Sequence, residues 1–131
     1  MKKGLVVALL LVIGLASPAL AADGYLEFLT KSARTVTGTS DVKQVGDYTE
    51  MSMFVDSAAC TGTTPTLDIT LQDSPDGTVW HTLDTYTQIT TSVSLQVKRK
   101  TEFGRYARLS YVITGTTPSC EFGVEAILKQ K

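Results

Sequence analysis

Apolar and polar residues alternate with a period of two along most of the chain. Leu67, Ile69 and Leu71 alternate with Asp68, Thr70 and Gln72, the pattern of a strand with one buried face. Ser74-Pro75-Asp76-Gly77 follows as turn chemistry, because Pro75 presets φ and Gly77 tolerates the left-handed region. Val79 to Leu83 returns, so Thr66 to Leu83 predicts a hairpin. The same reading predicts a first strand in Asp23–Thr30, short pieces in Ser32–Ser40 and Val42–Gly46, and a clear strand in Tyr48–Asp56. In that clear strand Met51, Met53 and Val55 share one face. Ser57–Pro65 is a loop of small residues, and Asp84–Thr91 a bent strand or loop. Val93, Leu95 and Val97 form the apolar face of a further strand, and Lys98–Glu102 a charged turn. Ala107, Leu109, Tyr111 and Ile113 share a face in Gly104–Thr114. After a turn at Gly115–Pro118, Cys120, Phe122, Val124, Ala126 and Leu128 point inward in the last strand. No run of ten residues beyond the first 21 has helical periodicity. The fold expected is an antiparallel two-sheet β sandwich, jelly-roll or Ig-like, of about seven or eight strands.

The first residues change the setting. Lys2 and Lys3 precede an apolar run from Gly4 to Ala16, and Ala19-Leu20-Ala21 offers a small-x-small site. This is the build of a secretory signal peptide, cleaved between Ala21 and Ala22. The mature chain would be Ala22–Lys131, one domain, exported to the periplasm or beyond the cell, with no membrane contact after cleavage. Without Lys2 and Lys3, ten basic residues face 13 acidic ones, which excludes a basic nucleic-acid binder. The chain has no Asn, so it has no N-glycosylation sequon.

Export bears on the two cysteines, Cys60 and Cys120. An even count in an oxidising compartment predicts one disulfide. A six-residue echo supports it: TGTTPT begins at Thr61 and TGTTPS at Thr114. If the two stretches sit at one end of the fold, Cys60, just before the first, meets Cys120, just after the second.

Candidate chemistry is thin. His81 is the only side chain suited to general base work near neutral pH. Ser74, Asp73, Asp76 and Asp84 are near it in sequence, but no nucleophile-elbow motif accompanies them, and no enzyme activity is expected. Asp73, Asp76 and Gly77 are too few for a calcium loop, and two Cys with one His lack zinc spacing; no metal or cofactor is expected. Two surface readings remain. Lys98, Arg99, Lys100, Arg105 and Arg108 gather a positive patch that could meet an anionic partner surface. Trp80 and Tyr86, with Tyr25 and Tyr106, would supply a stacking platform for carbohydrate if exposed.

The runs SARTVTGTSDVKQVGDYTEM, GTTPTLDITLQDSPDGTVWHTL and GRYARLSYVITGTTPSCEFGV resemble small β-sandwich proteins from structural gene clusters of tailed bacteriophages and prophages. The resemblance extends from about Ser32 to the C terminus. It implies a non-enzymatic virion accessory or head-decoration role, by docking on a protein lattice or by self-assembly. The signal peptide and the cysteines depart from that family and suit the same fold to an oxidising setting. The alternative expectation is a secreted carbohydrate-binding module.

Overall fold

A computed structural model describes residues 23–130. The signal-peptide reading, with its cleavage between Ala21 and Ala22, lies outside the described residues. Among those residues the strands are β1 (Gly24–Arg34), β2 (Gly38–Thr39), β3 (Lys43–Gln44), β4 (Glu50–Ser57), β5 (Thr61–Ser74), β6 (His81–Thr85), β7 (Ser94–Lys100) and β8 (Tyr106–Lys129). The fold is all-β, and every strand pairing is antiparallel.

The strands form one curled sheet with β8 as its spine. The order is β6-β5-β8-β4-β7, and β1, β2 and β3 also pair with β8. The first half of β8 lies between β5 on one side and the short β2 and β3 on the other. Its second half lies between β4 and β1. The period-two pattern decides what this curl encloses. Met51, Met53 and Val55 from β4, Leu67, Ile69 and Leu71 from β5, and Leu109, Phe122, Val124 and Leu128 from β8 are all buried in one core.

Two sequence expectations are corrected where the TGTTP stretches lie. Gly115–Pro118 is not a turn, and Thr61–Pro65 is not a loop: β8 and β5 run straight through them. The two stretches pair with each other. Thr61 lies opposite Ser119, Thr63 opposite Thr116 and Thr66 opposite Thr114, with register shifts on either side of Thr63. Gly62 and Gly115 have φ of 116° and 119°, and Thr64 and Thr117 have φ of 49° and 47°. The left-handed residues that suggested turns instead make a matched pair of bulges, which bend a ladder without ending it. A bend shared by adjacent strands is what curls the sheet.

The pairing gives the two motifs a local two-fold relation, each lying where the other would fall after rotation. Cys60 and Cys120, the next pair outward, are bonded, with Cα atoms 4.3 Å apart. Under the same rotation their place corresponds to the Leu67–Ile113 pair, so the disulfide stands where the other side has an apolar contact. The glycines are required here. A Cβ on Gly115 would lie 2.9 Å from the carbonyl oxygens of both Thr63 and Thr64, and one on Gly62 2.7 Å from that of Thr117. Gly115→Ala is therefore expected to destabilise by at least about 1–3 kcal/mol, from strain at its positive φ and the backbone clash. Urea titration checks this; a variant as stable as the parent would show that the bulge is not needed for the bend.

Candidate interaction surface

β7 ends the sheet, and it carries an arrangement that alternation alone does not orient. It pairs with β4 over seven residues without a register shift. The face that points into the curl holds Gln96, Lys98 and Lys100. Gln96 clips the far border: its Nε2 donates to the Thr87 carbonyl at 2.8 Å, and the Thr87 N–H donates to its Oε1 at 2.8 Å. Lys100 and Lys98 place their ammonium groups 2.6 Å and 3.5 Å from the Asp84 carboxylate at the end of β6. Two borders of the sheet are thus joined by side chains where no backbone ladder connects them. Long stems lie along apolar surface while polar heads reach across.

Burial opposes the charge on Asp84, but the Lys100 ammonium, the Thr85 N–H and the nearby Lys98 outweigh it and hold the carboxyl below its ordinary range. A carboxyl lowered on folding adds stability above its unfolded pKa and loses it as pH falls through the folded pKa. Asp84→Asn is expected to cost about 1 kcal/mol at neutral pH, with the gap to the parent closing below about pH 4. Thermal melts of both proteins from neutral to acid pH read this directly. A gap that persisted in acid would assign the loss to packing and not to charge.

With polar side chains turned in, the apolar ones of β7 turn out. Val93, just before the strand, Leu95 and Val97 are 72%, 76% and 60% exposed. The apolar face that their alternation predicts is therefore turned to solvent. Neighbouring strands continue this face with apolar and charged residues mixed. Val97 lies beside Phe54, which lies beside Glu125 and then Glu27; Arg99 lies beside Ser52, then Ile127, then Tyr25. Ile127 and Tyr25 are exposed. The Tyr25 hydroxyl donates to Glu125 Oε2 at 2.8 Å, and Lys31 pairs with Asp56 at 2.8 Å. The hollow between Phe54, Leu29 and Gly123 holds about 140 Å³. That is well under the ~300 Å³ at which small-molecule sites begin; a more open hollow between Phe54, Leu95 and Val97 holds about 320 Å³, at the bottom of that range.

The residues of the two candidate surfaces, cationic and aromatic, are dispersed. Tyr86 is in the core at 3% exposure, a correction to its place on any platform. The segment after β6 continues to pair with β5, with the Tyr86 N–H bonded to the Ile69 carbonyl, and this drives the ring inward. Its hydroxyl finds no hydrogen-bond partner among the described residues, and burial, with the Asp84 charge, pushes it above the ordinary phenol value. Trp80 precedes β6 and is half-buried; the Arg108 guanidinium covers its ring at 4.2 Å while donating to Gln72 Oε1 at 2.9 Å. Lys98 and Lys100 face Asp84 inside the seam and are not free for a partner. They also belong to β7, which corrects the charged turn expected there. Arg99 points outward, 3.5 Å from Glu50. Arg105 lies in the segment before β8, its carbonyl accepting from Val45 and Gly46.

The imagined catalytic group serves the turn. Ser74 is buried, its hydroxyl donating to Asp76 and accepting from the N–H groups of Asp76 and Gly77. Asp76 accepts from the N–H groups of Thr78 and Val79, and these bonds hold its carboxyl far below the usual range. Asp73 is spent on the Gly104 N–H at 2.7 Å.

One organising residue escaped the sequence reading. Arg34, at the end of β1, donates to the carbonyls of Phe122, Thr30 and Ser32 and stacks 4.7 Å from the Phe122 ring. It fills the ladder where β1 slips register against β8. A basic residue near the start of a polar, Thr-rich stretch carries no periodic signal that would mark it.

No family model, curated protein or solved structure matches this chain.

Proposed function

We propose that this protein is a non-enzymatic, exported β-sandwich domain that works by binding a protein surface, in the manner that its resemblance to virion accessory proteins implies. The two halves of the curled sheet are then read as the leaves of the sandwich. The observation that carries the reading is the outward face of β7 and β4, with Val93, Leu95, Val97 and Phe54 beside Ile127 and Tyr25. A contiguous exposed apolar strip rimmed by charge is the usual mark of a protein contact. Export fits the bonded cysteines, which persist in an oxidising compartment. The carbohydrate alternative draws less support, because Tyr86 is buried and Arg108 covers the Trp80 ring.

A photo-crosslinking amino acid at Val97, in the host that makes the protein, should give a discrete protein adduct. The same probe at His81, on the polar border, should not. Equal labelling from the two positions, or none from Val97, would remove the reading.

A further inference from the structure

We infer that β7 is the edge along which two copies of this chain pair antiparallel, extending the sheet across a two-fold axis; this rests on the protein-binding reading above. The four borders of the sheet differ in how they guard themselves. A free strand edge offers unpaired N–H and C=O groups, and proteins blunt such edges by shortness, bulges or charge. β2 and β3 are two residues each. β1 slips register twice against β8, and Arg34 fills the gap. β6 is five residues, shifts register between Leu71 and Gln72 of its neighbour, and exposes His81, Thr82 and Thr85. β7 alone is long, unbroken in register and apolar on its outer face.

The usual guard is present but turned away from the outer face. Lys98 and Lys100 point into the seam and share the one Asp84 carboxylate, which offsets one of their two charges. Of the three consecutive cations only Arg99 faces out, and Glu50 lies 3.5 Å from it. The edge is also self-complementary. In an antiparallel pairing centred on Gln96, Leu95 of each copy lies opposite Val97 of the other. Arg99 then faces Val93, Lys98 faces Ser94 and Lys100 faces Ser92, so no cation meets a cation. Centring the pair on Lys98 would stack that residue on itself, at a repulsive cost. Charge excludes that register, and of those that remain the one centred on Gln96 sets Leu95 against Val97 twice and joins the two Phe54-centred strips. Such an interface is isologous and closed, which limits assembly to a dimer.

Sedimentation velocity of the exported protein, from low micromolar to near-millimolar concentration, is the test. The parent should pass from monomer to dimer, and amide exchange along Ser94–Lys98 should slow as it does. A Leu95→Lys/Val97→Lys variant should remain monomeric with an unchanged melting temperature, since both side chains are in solvent. A Thr82→Lys/Thr85→Lys variant on β6 should dimerise like the parent. A parent that stays monomeric throughout, or a dimer indifferent to the β7 lysines, overturns the inference. The two readings separate cleanly: a monomeric parent whose Val97 probe still captures a different protein ends self-pairing and keeps the binding role. A monomer with no adduct ends both.

Discussion

Opening the Cys60–Cys120 bridge is expected to lower the unfolding free energy by about 2–5 kcal/mol. The two residues are 60 positions apart, so the bridge closes a long loop in the unfolded chain. In the chain-entropy account a loop of that length is worth on the order of 4 kcal/mol. The bridge also sits at the bend where β5 and β8 change direction together, beside bulges that interrupt the ladder. Removing the cross-link there leaves the weakest part of the pairing unsupported. Cys60→Ser alone would add a buried hydroxyl to the loss, since Cys60 and Cys120 are both buried. The double Cys60→Ala/Cys120→Ala variant separates the two effects. Its urea midpoint should fall while binding through the β7 face is retained. An unfolding free energy within about 0.5 kcal/mol of the parent would show that the ladder alone closes the loop.

Phe122→Ala should cost about 3–5 kcal/mol. The ring is fully buried and meets Tyr111 edge-on, with centroids 5.2 Å apart at 74°. Its strand lies between β1 and β4, so the cavity opens at the centre of the sheet. Arg34 covers the ring at 4.7 Å and also holds the Phe122 carbonyl at 2.7 Å. Truncating Phe122 leaves that backbone bond in place, so a double-mutant cycle with Arg34→Ala isolates the stack. A coupling of about 1 kcal/mol is expected for a partly desolvated cation over an aromatic ring. Additive losses would mean that Arg34 stabilises β1 only through the carbonyls it binds.

The core was legible because period-two alternation is a local property with one physical cause, the pleat. Met51, Met53 and Val55, Leu67 to Leu71, Ala107 to Ile113 and Cys120 to Leu128 lie on the faces their spacing assigned. The same rule left β7 unoriented. Alternation says that Leu95 and Val97 share a face, and it is silent about where the core lies. At a border the curl is open, and polar residues with long stems serve better inside than short apolar ones. Tyr86 was misread for the complementary reason. It was a platform residue only if exposed, and pairing of its segment with β5 carries the ring inward.

The chain by itself determined the strand class, most inward faces, the pairing of its cysteines and the hairpin turn at Ser74–Gly77. Each of these follows from residue types within a few positions, or, for the cysteines, from there being two of them. The bends, the seam and the exposed face were decided only by the tertiary structure. The TGTTP stretches carry turn chemistry that becomes a paired bulge because each lies against the other, and that proximity is a contact across about 50 residues. Asp84, Gln96, Lys98 and Lys100 are ordinary surface residues until the curl brings two borders within reach. Which side of β7 meets solvent depends on the same curl, because the sign of a strand's face is set by what the rest of the sheet encloses and not by the strand itself.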